Sequence, residues 1–371
     1  MNQQTTPNVT LFDLLARNWR RPSAIKHICF NNDDTLLAMS CFDGTVALAR
    51  LADNEPPESR ITIDNGRTTI HPREGRPSPL LNTRIRDGGR LTAFDGGETL
   101  VLTAKGDLLR INRSGEISAK VLADKSPIIA FDYCRSTGLM AAVLPNRLRL
   151  QWKRTDSIRE AALSDPISEM VSISNDGCMI ALVAATSLNI RHAEGDLRSF
   201  REIALSARPI SLIWSADNRW LACGLETGGF CLVDIASGGD AILSDFPGPI
   251  RTLDWSQSAN AVFASGAYRV AGWSMDTPPL SNSSTGALAT GHPGFVMVDA
   301  VASHPFKKLV AAGYANGKIV IAKIGSPDEL VIRDTGGPVT ALQWTADGKQ
   351  LGMGDALGNA AIITFPNQFF K

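Results

Sequence analysis

The stretch Gly337–Phe365, which reads GPVTALQWTADGKQLGMGDALGNAAIITF, contains three short apolar segments separated by two turn-forming dipeptides. The segments are Val339–Trp344, Gln350–Gly354 and Ala360–Phe365, and the dipeptides are Asp347-Gly348 and Gly358-Asn359. Each segment is shorter than a stable helix requires, and both dipeptides favour tight turns. The stretch therefore predicts a meander of antiparallel strands.

The same unit recurs along the 371 residues of the chain. Trp344 ends the first strand of the quoted unit, and the equivalent residues of earlier units are Phe30, Phe94, Tyr133, Ile173, Trp214, Trp255 and Ser303. They lie 39 to 41 positions apart, except for gaps of 64 after Phe30 and 48 after Trp255. A period of about 40 residues with aromatic anchors is typical of β-propeller blades. The eight anchors predict an all-β propeller of eight four-stranded antiparallel blades, with seven blades as the alternative.

The two ends of the chain are predicted to meet in one blade. Residues 8–16 precede the first unit without partner strands, and the last unit ends at Phe365 without a fourth strand. We expect residues 8–16 to supply the outer strand of the last blade, because a closed ring leaves no unpaired sheet edge. A helix over Leu11–Trp19 is the alternative, since Leu, Ala and Arg favour helices.

Two longer segments interrupt the regular units of this single predicted domain, residues 1–371. The first, residues 52–90, contains seven arginines, five prolines and six acidic residues. Prolines cannot donate hydrogen bonds to a sheet, so we expect an excursion, with Ile61–Ile63 as a candidate outer strand. A solvated linker, a protein-docking arm and a nucleic-acid contact are all open interpretations of this insertion. The second segment, residues 277–294, is rich in small polar residues and predicts a long, exposed and mobile loop.

The charge and hydropathy of the chain argue against several classes of partner. Lys and Arg total 37, as do Asp and Glu, so the formal net charge is zero. A neutral chain has no overall attraction to nucleic acid or to an anionic membrane. No apolar run approaches the roughly 18–20 residues that cross a bilayer, and the N-terminus lacks the basic-then-apolar order of a signal peptide. We therefore expect a cytoplasmic monomer that binds neither nucleic acid nor membranes.

Residues with reactive side chains are dispersed along the sequence. The six cysteines form no CxxC pair, and we expect mostly buried free thiols, with Cys223 and Cys231 as a candidate disulfide across one hairpin. The five histidines show no metal-ligand spacing, and motifs for nucleophilic, phosphate-binding or dinucleotide-binding sites are lacking. The sequence predicts no metal, no cofactor and no catalysis. The alternative is an enzyme, or a small-ligand or metal site, in the central channel.

The repeated units resemble the WD-repeat (WD40) family from about Ile25 to Phe365. The resemblance rests on Gly291-His292, on a recurring order of aromatic anchor, turn, LxxG segment and turn, and on unit starts at Pro127-Ile128, Pro166-Ile167, Pro249-Ile250 and Pro338-Val339. The Trp-Asp dipeptide that names the family is absent, and Trp152, Val233-Asp234 and Trp273 stand in its place. The family's His–Asp–Ser–Trp tetrad therefore cannot form in most blades. We expect apolar burial to hold the blades together instead.

The resemblance implies a rigid scaffold that binds proteins or peptides. In that family the usual docking face carries the loops before the first strands and between the second and third strands. The residues of this chain carried over to those loops are Lys26, Phe42, Arg251, Tyr268, Tyr314 and Asp355. Aromatic and arginine residues dominate binding hot spots, which favours the three aromatic residues and Arg251. We predict a partner site there, the alternative being that these residues only cover the tops of their blades.

Overall fold

The computed structural model describes residues 9–65, 67–122, 126–163 and 169–370. Within these ranges the strands form eight blade sheets and one additional hairpin, which confirms the prediction of an eight-bladed all-β propeller. No helix in these ranges has the length and apolarity that crossing a membrane requires. The predicted unit start at Pro166-Ile167 and residue 8 of the predicted closing segment lie outside the described residues.

The chain begins with a short helix, α1 (Leu11–Leu15), and a strand, β1 (Ala16–Arg20). Blade 1 contains β2 (Ile25–Phe30), β3 (Leu36–Cys41) and β4 (Val46–Arg50). A separate hairpin of β5 (Ile61–Asp64) and β6 (Arg67–Ile70) follows, and β7 (Leu81–Asn82) is the fourth strand of blade 1. Blade 2 contains β8 (Gly88–Ala93), β9 (Thr99–Thr103), β10 (Leu108–Ile111) and β11 (Ile117–Val121). Blade 3 contains β12 (Ala130–Cys134), β13 (Leu139–Leu144), β14 (Arg147–Trp152) and β15 (Ser157–Ala162). Blade 4 contains β16 (Met170–Ile173), β17 (Met179–Ala184), β18 (Ser187–His192) and β19 (Ser199–Ala204).

The second half of the ring follows the same order. Blade 5 contains β20 (Pro209–Trp214), β21 (Trp220–Leu225), β22 (Phe230–Asp234) and β23 (Asp240–Leu243). Blade 6 contains β24 (Leu253–Ser256), β25 (Ala261–Ala264) and β26 (Ala271–Ser274). Blade 7 contains β27 (Val298–Ser303), β28 (Leu309–Tyr314), β29 (Ile319–Lys323) and β30 (Glu329–Arg333). Blade 8 contains β31 (Val339–Trp344), β32 (Gln350–Asp355) and β33 (Asn359–Thr364), and β1 is its fourth strand.

The core of the ring lies between the blades. The second strands of blades 1, 3, 4 and 5 are buried along their whole length, because both of their faces pack against a neighbouring sheet. Among the described residues, the buried apolar side chains form eight clusters, and each cluster joins two neighbouring blades. Burial of apolar surface stabilises by about 25 cal/mol per Å². Apolar burial between sheets therefore holds the ring together.

The tryptophan anchors occupy one equivalent layer between blades, as the period predicts. Trp214, Trp255 and Trp344 lie at or next to the ends of their first strands. Each indole N–H donates to a backbone carbonyl of the preceding blade. The distances are 3.4 Å to Ser172, 3.5 Å to Ile213 and 3.0 Å to Ala302. Trp214 and Trp344 are buried and Trp255 is partly buried, so each anchor combines apolar contact with a hydrogen bond that fixes one blade against the next.

An N-terminal strand closes the ring, but the expectation that residues 8–16 form it is wrong. β1 pairs with β33, so residues 16–20 are the outer strand of blade 8, and Leu11–Leu15 form α1. The helix forms there because Thr10 and Asp13 make a capping box. The Asp13 backbone N–H donates to the Thr10 hydroxyl, and the Asp13 carboxylate accepts from the Thr10 backbone N–H at 2.9 Å.

The insertion, residues 52–90, packs against this N-terminal segment. The expectation that Ile61–Ile63 adds an outer strand is wrong, because β5 pairs with β6 and β7 is the outer strand of blade 1. The Arg60 guanidinium donates to the carbonyl of Leu14 at 2.7 Å. On the other side, the Trp19 indole donates to the carbonyl of Ser78 at 2.8 Å. The excursion therefore covers the closing strand.

A buried arginine joins the closing strand to blade 1. The Arg17 side chain is 2% exposed, and its guanidinium donates to three consecutive backbone carbonyls. These belong to Arg50, Leu51 and Ala52, at 3.0, 2.6 and 2.8 Å. Its Nε also lies 3.5 Å from the carboxylate of Asp53, which pairs with Arg73 of the insertion as well. The insertion thus supplies charged and polar partners to the strand that closes the ring.

Residues 277–294 run along the open edge of blade 6. Residues 286–290 lie beside β26, with isolated bridges that join Val270 to Thr290 and Trp273 to Ala287. The Trp273 indole donates to the carbonyl of Ser283 at 2.7 Å. Residues 281–284 and 292–294 are exposed. The segment therefore covers the edge where the other blades have a regular fourth strand.

All six cysteines are free, and five of them are buried, the exception being Cys178. Cys223 and Cys231 face each other across the β21–β22 hairpin without forming a disulfide. Burial raises the pKa of both thiols, to about 12 for Cys231. The two thiols are therefore uncharged at neutral pH and pack as small apolar groups.

Candidate docking face

The first strands of the blades surround a central channel. Its cavity has a volume of about 1070 Å³, and residues of all eight blades line it. We call one end of the ring the entry face. It carries the segments that lead into the first strands and the turns that join second strands to third strands. This is the face on which the sequence pattern predicts a partner.

Four of the six predicted partner residues are exposed on the entry face. Phe42 follows β3 with 66% of its surface exposed, and Tyr268 follows β25 with 47% exposed. Lys26 and Arg251 are exposed at the mouth of the channel. The Lys26 ammonium lies 5.8 Å from the centre of the Phe42 ring, which is a cation–π distance. The structure thus brings a cation and an exposed aromatic ring together in blade 1.

The expectation that Tyr314 faces water is wrong. Tyr314 is the last residue of β28 rather than a turn residue, and it is 6% exposed. Its ring belongs to the apolar cluster between blades 6 and 7. Burial raises the pKa of its hydroxyl to about 12. Tyr314 therefore stabilises the ring and is not available to a partner.

The expectation that Asp355 faces a partner is also wrong, because its side chain is fully buried. The carboxylate closes the turn after β32 by accepting from the backbone N–H groups of Leu357 and Asn359 at 2.9 and 2.8 Å. It also accepts from the guanidinium of Arg333 at 2.9 Å. Burial acts to raise the pKa of Asp355, but the bonds from Asn359 and Arg333 outweigh it and hold the pKa below its usual value. Asp355 is a structural residue.

Two further apolar side chains of the entry face are exposed that the repeat pattern does not single out. Phe295 precedes β27 and is fully exposed, and Leu357 in the β32–β33 turn is 53% exposed. The Gly294 N–H donates to the carbonyl of Tyr268 at 2.9 Å, which places Phe295 beside the Tyr268 turn. The sequence contains a feature that indicates exposure for each of these two residues. Phe295 follows a Pro-Gly dipeptide, and Leu357 stands inside a turn sequence, where apolar residues are unusual.

We call Phe42, Tyr268, Phe295 and Leu357 the apolar arc. They belong to blades 1, 6, 7 and 8, which are consecutive once the ring is closed. The turns that join the second and third strands of blades 2 to 5 carry polar residues, namely Lys105, Asn146, Thr186 and Glu226. A single exposed apolar residue is ordinary, whereas several grouped on one surface mark an interaction site. The entry face therefore has one apolar half and one polar half.

Three cations line the channel where it opens on the entry face. Lys26 lies in β2, Arg90 in β8 and Arg251 just before β24. We call these three residues the basic mouth. Arg90 is the member that the sequence pattern misses, because it stands at the end of the Arg-rich insertion and only the fold assigns it to a first strand. Lys26 and Arg251 belong to blades 1 and 6 of the apolar arc, and Arg90 belongs to blade 2, which adjoins the arc.

Polar side chains deeper in the channel join neighbouring blades. Asp132, Asp254 and Gln343 each precede an anchor residue, and each accepts a backbone N–H of the next blade. The residues that donate are Ile173, Ser303 and Phe30. Burial raises the pKa of Asp254 to about 6, although the bonds from Ser303 and Trp255 act against it. Across the described residues, no three His, Cys, Asp or Glu side chains lie close enough to share a metal ion.

No protein-family model matches the sequence, and no curated protein matches it either. The three-dimensional structure is similar to the crystal structure of the C-terminal WD40 domain of Sif2, with a TM-score of 0.61 and 12% sequence identity. The similarity covers 94% of this chain and 100% of that domain. The chain has the fold of a WD40 propeller. WD40 propellers are typically protein-interaction scaffolds.

The blades of this chain are fixed without the hydrogen-bonded tetrad of the WD-repeat pattern. His292 of the single Gly-His dipeptide is exposed, and its backbone N–H donates to the Glu329 carboxylate at 3.3 Å. The bonds from the tryptophan anchors and from the channel-wall residues join the blades instead. This replacement explains how the fold persists without the Trp-Asp dipeptide, and it fits the low sequence identity to the Sif2 domain.

Proposed function

We propose that this chain is a non-catalytic scaffold that docks a protein or peptide partner on its entry face. The observation that carries the proposal is the apolar arc, four exposed apolar side chains on one face of four consecutive blades. A rigid ring presents such side chains without the ordering cost that a flexible loop incurs on binding. Aromatic residues also contribute most to binding hot spots. The WD40 propeller fold supports the same conclusion.

A pull-down with two matched variants tests the proposal. The arc variant carries Phe42→Ser, Tyr268→Ser, Phe295→Ser and Leu357→Ser. The rim variant replaces four exposed apolar residues of outer strands and carries Ile117→Ser, Ile158→Ser, Phe200→Ser and Ile242→Ser. Circular dichroism confirms that both variants fold. Each tagged protein is then incubated with a lysate of the source cells.

We expect the wild type and the rim variant to recover the same stoichiometric protein, and the arc variant to lose it. Loss from the arc variant alone assigns the interaction to the entry face, because the two variants remove the same number of exposed apolar side chains. Equal recovery by the folded arc variant contradicts the proposal. Loss of the partner by both variants also contradicts the proposal, since non-specific hydrophobic binding would then explain the recovery by the wild type.

A further inference from the structure

The charge of the basic mouth is not neutralised by the acids that line the channel. Among the described residues, none of its three cations forms an ion pair with a carboxylate. The acids of the channel wall are Asp34, Asp132 and Asp254. The Asp132 carboxylate accepts the backbone N–H of Ile173 at 2.8 Å. Asp34 accepts the backbone N–H of Ala346 at 2.8 Å, at the opposite end of the channel. The Asp254 carboxylate is occupied by the backbone N–H groups of Trp255 and Ser303.

The other acids near the mouth leave its charge largely in place. Asp299 interacts with Arg251 and is half-buried outside the channel wall, so it offsets part of the charge of one of the three cations. Asp43 accepts the backbone N–H of Thr45 at 3.0 Å and the Thr45 hydroxyl at 2.7 Å within its own turn. Asp87 lies outside the channel wall. The entrance to the channel is therefore electropositive.

Blades 1 and 8 each place a buried polar atom without a partner in the channel wall. The Nδ1 of His27 and the Oγ1 of Thr340 are buried, and neither has a hydrogen-bond partner among the described residues. Burial, assisted by the charges of Arg90 and Lys26, lowers the pKa of His27 to about 4. The imidazole is therefore neutral at pH 7. Buried polar atoms normally have partners, so each of these atoms marks a place in the wall where a polar group can bind.

We infer that the segment that docks on the entry face is an acidic peptide. Its Asp or Glu side chains contact the basic mouth, and its apolar side chains contact the apolar arc. The inference rests on the proposed function and specifies the chemistry of the partner. Complementary charge makes an acidic segment associate faster and excludes basic segments. Carboxylates also form strong charge-assisted hydrogen bonds with arginine.

The placement of the cations favours a peptide over other anionic partners. The three cations line the mouth of a channel, and a concave site of this kind fits a chain segment better than it fits a flat membrane surface. Nucleic acid binds to grooves in which many cations follow the phosphate backbone, whereas this mouth has three cations in a chain of zero net charge. A peptide side chain is narrow enough to reach into the mouth from the apolar arc.

A peptide-display selection tests the inference. A random library of 12-residue peptides is selected against the wild type, and the tightest binder is synthesised with a fluorescent label. Its affinity is measured for the wild type, the arc variant and a mouth variant with Lys26→Gln, Arg90→Gln and Arg251→Gln. A control variant neutralises three exposed cations elsewhere on the ring, with Arg154→Gln, Arg198→Gln and Lys349→Gln.

We expect the selected peptides to combine Asp or Glu with aromatic or aliphatic residues. The mouth variant should bind the peptide about tenfold or more weakly, the control variant should bind it like the wild type, and added salt should weaken the wild-type complex. Circular dichroism of the mouth variant separates loss of binding from loss of folding. If it fails to fold, the single Lys26→Gln and Arg251→Gln variants, whose side chains are exposed, replace it.

The remaining outcomes separate this inference from the proposed function. The selected peptides could require the apolar arc but carry no excess of acidic residues and bind the mouth variant as tightly as the wild type. That result overturns the inference and leaves the proposed docking face intact. Failure to select any arc-dependent peptide overturns both. The assignment to a peptide is overturned if phosphatidylserine vesicles or a 20-nucleotide DNA strand bind more tightly than the selected peptide and depend on the same mouth residues.

Discussion

An aromatic side chain near a turn of the entry face is available to a partner only if it lies beyond the end of its strand. Phe42 and Tyr268 follow their strands and are exposed, whereas Tyr314 is the last residue of β28 and is buried between two sheets. The sequence shows an aromatic residue near a turn in all three cases. It cannot show the residue at which pairing stops, and a shift of one residue moves a side chain to the opposite face. Two exposed aromatic residues of the site were therefore predictable, and the burial of the third was not.

Polar residues of the channel wall join neighbouring blades in a recurring way. A polar residue directly before the anchor accepts an N–H of the next blade, as Asp132, Asp254 and Gln343 do. This signal is visible in the sequence once the anchors are aligned. At Asp254 the arrangement places a carboxyl group where its charged form is disfavoured, since burial raises its pKa to about 6.

Asp254 should therefore make stability depend on pH. A carboxyl whose pKa is higher in the folded state than in the unfolded state stabilises most below its unfolded pKa, here about 4. That contribution is lost as the pH rises through about 6. Relative to Asp254→Asn, which does not titrate, the wild type should lose free energy of unfolding between pH 4.5 and pH 7. Urea denaturation of both proteins at the two pH values measures the difference.

Gln343→Asn provides the control, because Gln343 has the equivalent role in blade 8 and carries no titrating group. Its stability difference from the wild type should be the same at both pH values. A difference between the wild type and Asp254→Asn that stays constant, or that grows in favour of the wild type at pH 7, would show that the carboxyl is not disfavoured in the fold.

Among the elements, the closing strand β1 depends most on residues distant in sequence. The open edge of the last unit predicts that an N-terminal strand is needed, and the structure has one. The register was not predicted, although Thr10 and Asp13 give the spacing of a capping box and mark residues 11–15 as helical. The partners of β1 in the insertion could not be derived, because irregular backbone carbonyls leave no pattern in a sequence.

The substitution Arg17→Ala should weaken the attachment of β1 and lower the free energy of unfolding. Removal of the guanidinium leaves three backbone carbonyls without this donor in a buried site and leaves the Asp53 carboxylate with Arg73 alone. Loss of one member of a buried, charged network costs about 3–5 kcal/mol. Urea denaturation measures the loss, and Arg20→Ala on the same strand is the control. Arg20 is exposed, so its removal should cost below about 1 kcal/mol. Equal effects of the two substitutions would show that the Arg17 network does not hold the strand.

At the scale of the whole molecule, the closed ring makes distant parts of the chain neighbours. Phe42 near the N-terminus and Leu357 near the C-terminus belong to adjacent blades because β1 completes blade 8. The period of about 40 residues predicts the ring, and the ring predicts that units one, six, seven and eight share an arc. The identity of the exposed residues on that arc required the structure. The basic mouth required it as well, since its three members come from blades 1, 2 and 6.

Site-specific photo-crosslinking tests the docking face most directly. A benzophenone amino acid is placed at Phe295 on the entry face or at Phe306, which is also exposed but lies in the β27–β28 turn on the opposite face. In extracts of the source cells, the probe at position 295 should give one discrete adduct. Excess unlabelled wild-type protein should abolish that adduct, whereas excess arc variant should not. The probe at position 306 should give no such adduct. The same adduct from position 306, or equal competition by the arc variant, would contradict docking on the entry face.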